Sequence, residues 1–122
     1  MERLIRARDG RTVAHSVVRA TTCRARLTGL LGRTSIGPGR ALVLEPARQV
    51  HTVGMRFPID VVFCDRELRV LHVARSMRPG RLSRVVLRAC FAIEMEAGAA
   101  RSISTGDLLA LSPASGRPDR SR

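Results

Sequence analysis

The segment His51-Thr52-Val53-Gly54-Met55-Arg56-Phe57-Pro58-Ile59-Asp60 gathers three kinds of polar chemistry into ten residues. An imidazole titrates near neutral pH and serves as acid or base, a guanidinium clamps a carboxylate or phosphate, and a carboxylate orients either one. Pro58 has no N–H to give a strand ladder and biases Phe57 toward extended backbone, so a bend or edge is expected just before Asp60. A second carboxylate, Glu94, is expected on the polar face of a later strand. If that strand lies near the bend, His51, Thr52, Arg56, Asp60 and Glu94 form a candidate binding rim. Two carboxylates close together would raise at least one pKa and work as an acid and a base. The structural alternative is equally concrete and is favoured: Asp60 bonds the turn backbone, Arg56 pairs with Asp60 or Glu94, and His51 is exposed on a strand.

Other reactive side chains give weaker signals. His51, His72, Cys64 and Cys90 are metal ligands by type, but their spacing matches no familiar ligand pattern, so no metal and no cofactor are expected. His72 alternates in phase with Leu68, Val70 and Ala74, which places it facing the core or half-buried. Cys23, Cys64 and Cys90 form no C-x-x-C pair and read as buried, reduced thiols. A Cys90 nucleophile with His51 as its base is the lesser reading. Arg75, Arg78, Arg81, Arg84 and Arg88 mimic helical spacing, yet Pro79 and Gly80 interrupt it and turn the run into a loop. Within it, Arg75, Arg78 and Arg81 are the candidate anion-binding residues.

These candidates must be held by a single small domain. The chain has 122 residues, of which 44% are hydrophobic, enough for one core and too few for two. Its 22 basic residues are all arginine and face 10 acidic ones, for a formal charge of +12. Arginine runs through the whole chain instead of forming one block, and Trp and Tyr are absent, so a set of base-stacking platforms is missing. A nucleic-acid partner is therefore possible but not favoured. Neither a membrane span nor an apolar leader core is visible, and a cytoplasmic location with no membrane partner is expected.

The pattern along the chain is mainly β. Asp9-Gly10 between residues 2–7 and 11–18 marks a hairpin. Leu27, Leu30 and Leu31 at helical spacing behind Thr21 or Thr22 predict one short helix near residues 22–31. Strands are predicted over 41–44, 49–56, 60–64, 68–74, a long alternating stretch from 84 to 96, and 108–111. In that long stretch Val85, Leu87, Ala89, Phe91, Ile93 and Met95 are assigned to the core and Glu94 to the opposite, polar face. Residues 112–122 read as a disordered tail behind a domain of 1–111. The sum is a small single-domain β-barrel or sandwich, mostly antiparallel, with one short helix.

Three pieces of this sequence carry a family resemblance: His51-Thr-Val-Gly-Met-Arg-Phe-Pro-Ile-Asp60-Val-Val-Phe, then Ala89-Cys-Phe-Ala-Ile-Glu94-Met-Glu-Ala-Gly98, then Thr105-Gly106-Asp107. The chain resembles the DUF192 family of small uncharacterised proteins, and the segment with Arg26, Leu27, Gly29, Leu30, Leu31 and Arg33 is similar to that family's early segment. Pro58, Asp60, Glu94 and Gly98 match its pattern. Many members read Trp-Met-Lys-Asn-Thr where this chain has His51-Thr52-Val53-Gly54-Met55, so a role for that aromatic residue or Asn does not transfer. The resemblance implies a compact, mostly β domain and no established activity. The expected function is a ligand-binding or protein-interaction module using the rim, its partner an unknown small molecule or protein. The alternatives are acid–base chemistry on an anionic small molecule and an arginine-based nucleic-acid binder.

Overall fold

In the computed structural model, which describes residues 2–20 and 36–113, seven strands form one curled sheet in the order β5-β4-β6-β3-β2-β1-β7. The strands are β1 (Glu2–Arg6), β2 (Arg11–Ala20), β3 (Arg40–Leu44), β4 (Ile59–Cys64), β5 (Val70–Met77), β6 (Phe91–Glu96) and β7 (Leu109–Pro113). Every neighbouring pair is antiparallel except β2 and β3. The two outermost strands meet at one end. Val70 N–H donates to the Asp107 carbonyl, Gly106 N–H to that of Val70 and Leu109 N–H to that of Leu68, and Arg69 bridges Leu108. The sheet is thus a half-barrel, and its inner face carries Leu4, Val17, Val43, Val62, Ile93, Met95, Ile103 and Leu109.

The outer face is apolar too, because the β3–β4 loop (45–58) and the β5–β6 loop (78–90) lie over it. Val50, Met55, Phe57, Val86 and Ala89 from those loops pack on Leu44, Ile59, Val61, Phe63 and Ala92 of the sheet. Both faces of β4 and most of β6 are consequently buried, as expected of central strands covered on both sides.

The hairpin turn falls at Asp9-Gly10, where Gly10 takes φ 71°. The helix predicted near 22–31 lies outside the described residues, and no helix occurs among them. Two strand assignments are corrected. Residues 49–56 are a loop, broken by Gly54 at φ 87° and joined to the β5–β6 loop by the isolated bridge His51–Leu82 and a few backbone bonds around Val50 and Thr52. Residues 84–90 are also a loop. Ala89 N–H bonds the Val86 carbonyl three residues back, so Val86 and Ala89 point inward while Val85 and Leu87 face solvent. The alternation beyond 90 is a genuine strand, but Glu94 on it is fully buried, not on a polar face. The last strand runs to Pro113, two residues into the stretch expected as tail.

Burial on the inner face sets the stability. Ile93→Ala should cost roughly 3 kcal/mol in urea unfolding, as a fully buried branched side chain leaving a cavity does, whereas Leu87→Ala should lie within about 0.5 kcal/mol of wild type.

Candidate functional site

Asp60, in the expected rim, is held by backbone N–H groups. It is almost fully buried on β4, and its carboxylate accepts three backbone N–H groups: Ser76 on Oδ1 at 2.8 Å, and Gly98 and Ala100 on Oδ2 at 3.0 Å each. Two of these belong to the loop that follows β6. Two arginines hold the same loop from other strands. Arg75 on β5 donates to the carbonyls of Ala100 at 2.7 Å and Ile103 at 2.6 Å, and Arg6 on β1 donates to that of Ser102 at 2.6 Å. One anion takes the N–H groups and two cations take the carbonyls, so charged side chains replace the ladder that residues 97–104 lack.

The remaining rim candidates do not converge with Asp60. Residues opposite each other in a ladder share a face, and successive residues alternate. Asp60 lies opposite Met95 and Val61 opposite Glu94, which sends Asp60 to the inner side and Glu94 to the outer side beneath the two loops. The sheet separates the two carboxylates. Thr52 is fully buried and zips the loops together: its hydroxyl donates to the Arg78 carbonyl at 2.5 Å and accepts Arg81 N–H at 2.9 Å. His51 is half-buried with Nδ1 accepting Val53 N–H, and Arg56 is exposed. Of the anion-binding candidates, Arg75 is committed to the Asp60-held loop, and Arg78 and Arg81 stand exposed on the β5–β6 loop. His72 stacks on Phe63 with ring centroids 6.0 Å apart, and burial lowers its pKa. Burial pushes the Cys64 thiol up to about 12, so it stays protonated. Among the described residues no three His, Cys, Asp or Glu side chains are placed to hold a metal ion.

The loop that Asp60 anchors forms one wall of a concavity. This cleft, about 520 Å³, lies between the start of β2 (Arg11, Thr12, Val13), Pro38-Gly39, and residues 96–99, 101 and 102. Gly39 sits at φ 72°, with the His15 imidazole packed where a Cβ would project, so no larger residue fits that wall. At the base Arg6 grips Asp9 through two bonds, Nε to Oδ1 at 3.1 Å and Nη2 to Oδ2 at 2.7 Å. That guanidinium holds the Asp9 carboxyl down at about 2. Arg11 and Arg101 differ. Both are exposed in the cleft, and among the described residues neither pairs with a carboxylate; the ion pairs are Arg6–Asp9, Arg8–Asp107 and Arg19–Glu2. Arg101 Nη1 lies 3.9 Å from where a Gly98 Cβ would be. Glu96 is the acid in the lining. Two unpaired guanidiniums against one carboxylate leave a net positive opening.

Sequence reasoning missed these cleft residues. One signal for Arg6 is available: it follows Leu4 by two positions on a strand, and a charged residue in the core phase implies a polar partner. Arg11 and Arg101 carry no such mark among 22 arginines.

The DUF192 family model, described as "Uncharacterized ACR", matches residues 4–111. A crystal structure of a protein of unknown function from Novosphingobium aromaticivorans superposes with a TM-score of 0.68 at 20% identity, covering 77% of this chain and 73% of that one. A candidate transcription regulator from Sinorhizobium meliloti superposes with a TM-score of 0.70 at 22% identity, covering 90% and 91%. At these identities the likeness is one of fold. No curated protein matches the sequence. Among the described residues no helix is long and apolar enough to cross a membrane.

Two outcomes follow from the anchors. Asp60→Asn puts an NH₂ group against N–H donors and should cost roughly 3 kcal/mol in urea unfolding, with the largest amide shifts at Ser76, Gly98 and Ala100. Asp9, lowered from 3.8 to about 2 by Arg6, adds stability that is complete above about pH 4 and is lost as pH falls toward 2; the drop in melting temperature over that window should shrink in Asp9→Asn.

Proposed function

The chain belongs to the DUF192 family of uncharacterised proteins, and from that premise we propose that it is a binding module for a small anionic molecule, taken in the cleft between the start of β2 and the Asp60-anchored loop. The observation that carries this reading is the pair Arg11 and Arg101, which line one cleft from two segments of the chain and make no ion pair among the described residues. Guanidinium groups recognise carboxylate and phosphate through two parallel hydrogen bonds, and two of them lining one opening suit a ligand with one or two such groups. A cleft of about 520 Å³ falls within the roughly 300–1,000 Å³ of small-molecule sites, so the ligand is a metabolite-sized anion instead of a bare ion.

The walls support the same reading. Asp60, Arg75 and Arg6 fix the backbone of residues 97–104 before any ligand arrives, which lowers the ordering cost of binding. Glu96 supplies an acceptor and would reject ligands that bring only negative charge to its side. Asp60 is a positioning residue in this scheme: it touches the loop and not the ligand. Placing Asp60 and Glu94 on opposite sides of the sheet removes the geometric support for a shared acid–base pair.

Titration of the full chain with inorganic phosphate, citrate and a nucleoside monophosphate, followed by amide chemical shifts, tests the proposal. At least one anion should produce saturable shifts confined to residues 11–13 and 97–102. Arg11→Ala and Arg101→Ala should each weaken its binding about tenfold with the melting temperature unchanged. Binding of the same anion unaltered in the double variant, or shifts centred on other residues, would overturn the assignment.

A further inference from the structure

The two loops that cover the outer face carry a charge bias of their own. No Asp or Glu occurs between Glu45 and Asp60 or between Glu67 and Glu94. The β3–β4 loop contributes Arg48 and Arg56, and the β5–β6 loop contributes Arg78, Arg81, Arg84 and Arg88. All six are exposed, and none makes an ion pair with a described carboxylate. Apolar side chains stand among them: Leu82 is 68% exposed, Val85 48% and Leu87 74%. Such residues normally turn inward. Here the Val86–Ala89 turn and the bonds of Thr52 and Ser83 to the facing loop fix the backbone so that they cannot.

Beside them is a shallow groove of about 230 Å³ lined by Leu71, Arg84, Val85, Val86, Leu87 and Arg88, of which Val86 is buried, Leu71 half-buried and the other four exposed. That volume is below the range of metabolite sites and fits one or two side chains. We propose that this face docks a peptide segment of a partner protein in which an apolar side chain is flanked by Asp or Glu. The apolar side chain fills the groove, and its neighbouring carboxylates meet Arg84 and Arg88 in two-pronged hydrogen bonds. Charge complementarity selects this occupant, because an arginine-only rim is matched by acids and the groove demands an apolar residue between them. A nucleic-acid strand would need stacking platforms, and Phe57 and Phe63 are buried while Phe91 lies on β6. An anionic membrane would use the protruding leucines but has no use for a groove.

Fluorescence anisotropy on the full chain tests the proposal with a labelled peptide alternating Asp or Glu with Leu. Controls are the same peptide with Ser for Leu, an oligodeoxythymidine strand, and vesicles of phosphatidylcholine with phosphatidylserine. The acidic, apolar peptide should bind, and the Ser peptide should bind about tenfold more weakly. Leu87→Ser and the double change Arg84→Gln, Arg88→Gln should each cost a similar factor, with an unchanged melting temperature because all three side chains are exposed. Arg101→Ala, on the separate cleft, should leave peptide affinity intact. Equal binding of the Ser peptide or the thymidine strand would reduce the surface to a general polyanion site and overturn the proposal. So would unaltered peptide binding by Leu87→Ser, or binding to vesicles without binding to the peptide.

Discussion

The carboxylate of Asp60 is the constraint on which the remaining geometry depends. A buried anion is tolerable only when its lone pairs are filled, and here three backbone N–H groups fill them. Those donors come from two places far apart in the chain, the end of β5 and the turn after β6, so satisfying the anion brings them together. Without Asp60 the loop 97–104 would lose the hydrogen bonds that set its height above the half-barrel. Ala100 and Ile103, both fully buried against the inner cluster, would lose their placement with it.

Arg75 and Arg6 complete the arrangement from the carbonyl side. Peptide groups of this loop are met at both ends by charges of the appropriate sign, which gives an irregular segment hydrogen bonds of the kind a strand takes from its neighbour. The outer loops use a different solution. There neutral groups do the joining: Thr52 and Ser83 bond backbone across the gap, Gln49 Nε2 donates to the Ser83 carbonyl, and the apolar residues beneath supply the burial. The protein thus has an electrostatically fixed inner rim and a hydrophobically seated outer cover.

Much of the sheet was legible in the sequence because its signals are local. Asp9-Gly10 declares the hairpin, and the apolar run from Val61 to Cys64 declares a buried strand. The two misread segments, 49–56 and 84–90, have strand-like composition because loops that cover a sheet must be apolar as well, and period alone does not separate a strand from an apolar lid. The site was less legible for a reason of register. Asp60 and Glu94 both lie in well-marked strands, but whether two residues share a face depends on which is opposite which, and a one-residue offset inverts the answer. Glu94 was assigned a polar face because alternation assumes one solvated side, which a central strand covered on both faces does not have. Arg11 and Arg101 line one cleft only because segments some ninety residues apart are brought together, which no local pattern encodes.

Every anchor of residues 97–104 grips main-chain atoms: Asp60 takes N–H groups, while Arg75 and Arg6 take carbonyls. The mount is therefore indifferent to the identity of most side chains it carries. Positions such as Arg101 and Ser102, both exposed, can be exchanged without loosening the loop, so long as Gly98 keeps its φ of 92° and Ala99, Ala100 and Ile103 stay small enough or apolar enough for the core. A scaffold of this kind separates the atoms that hold the fold from the side chains that the loop displays.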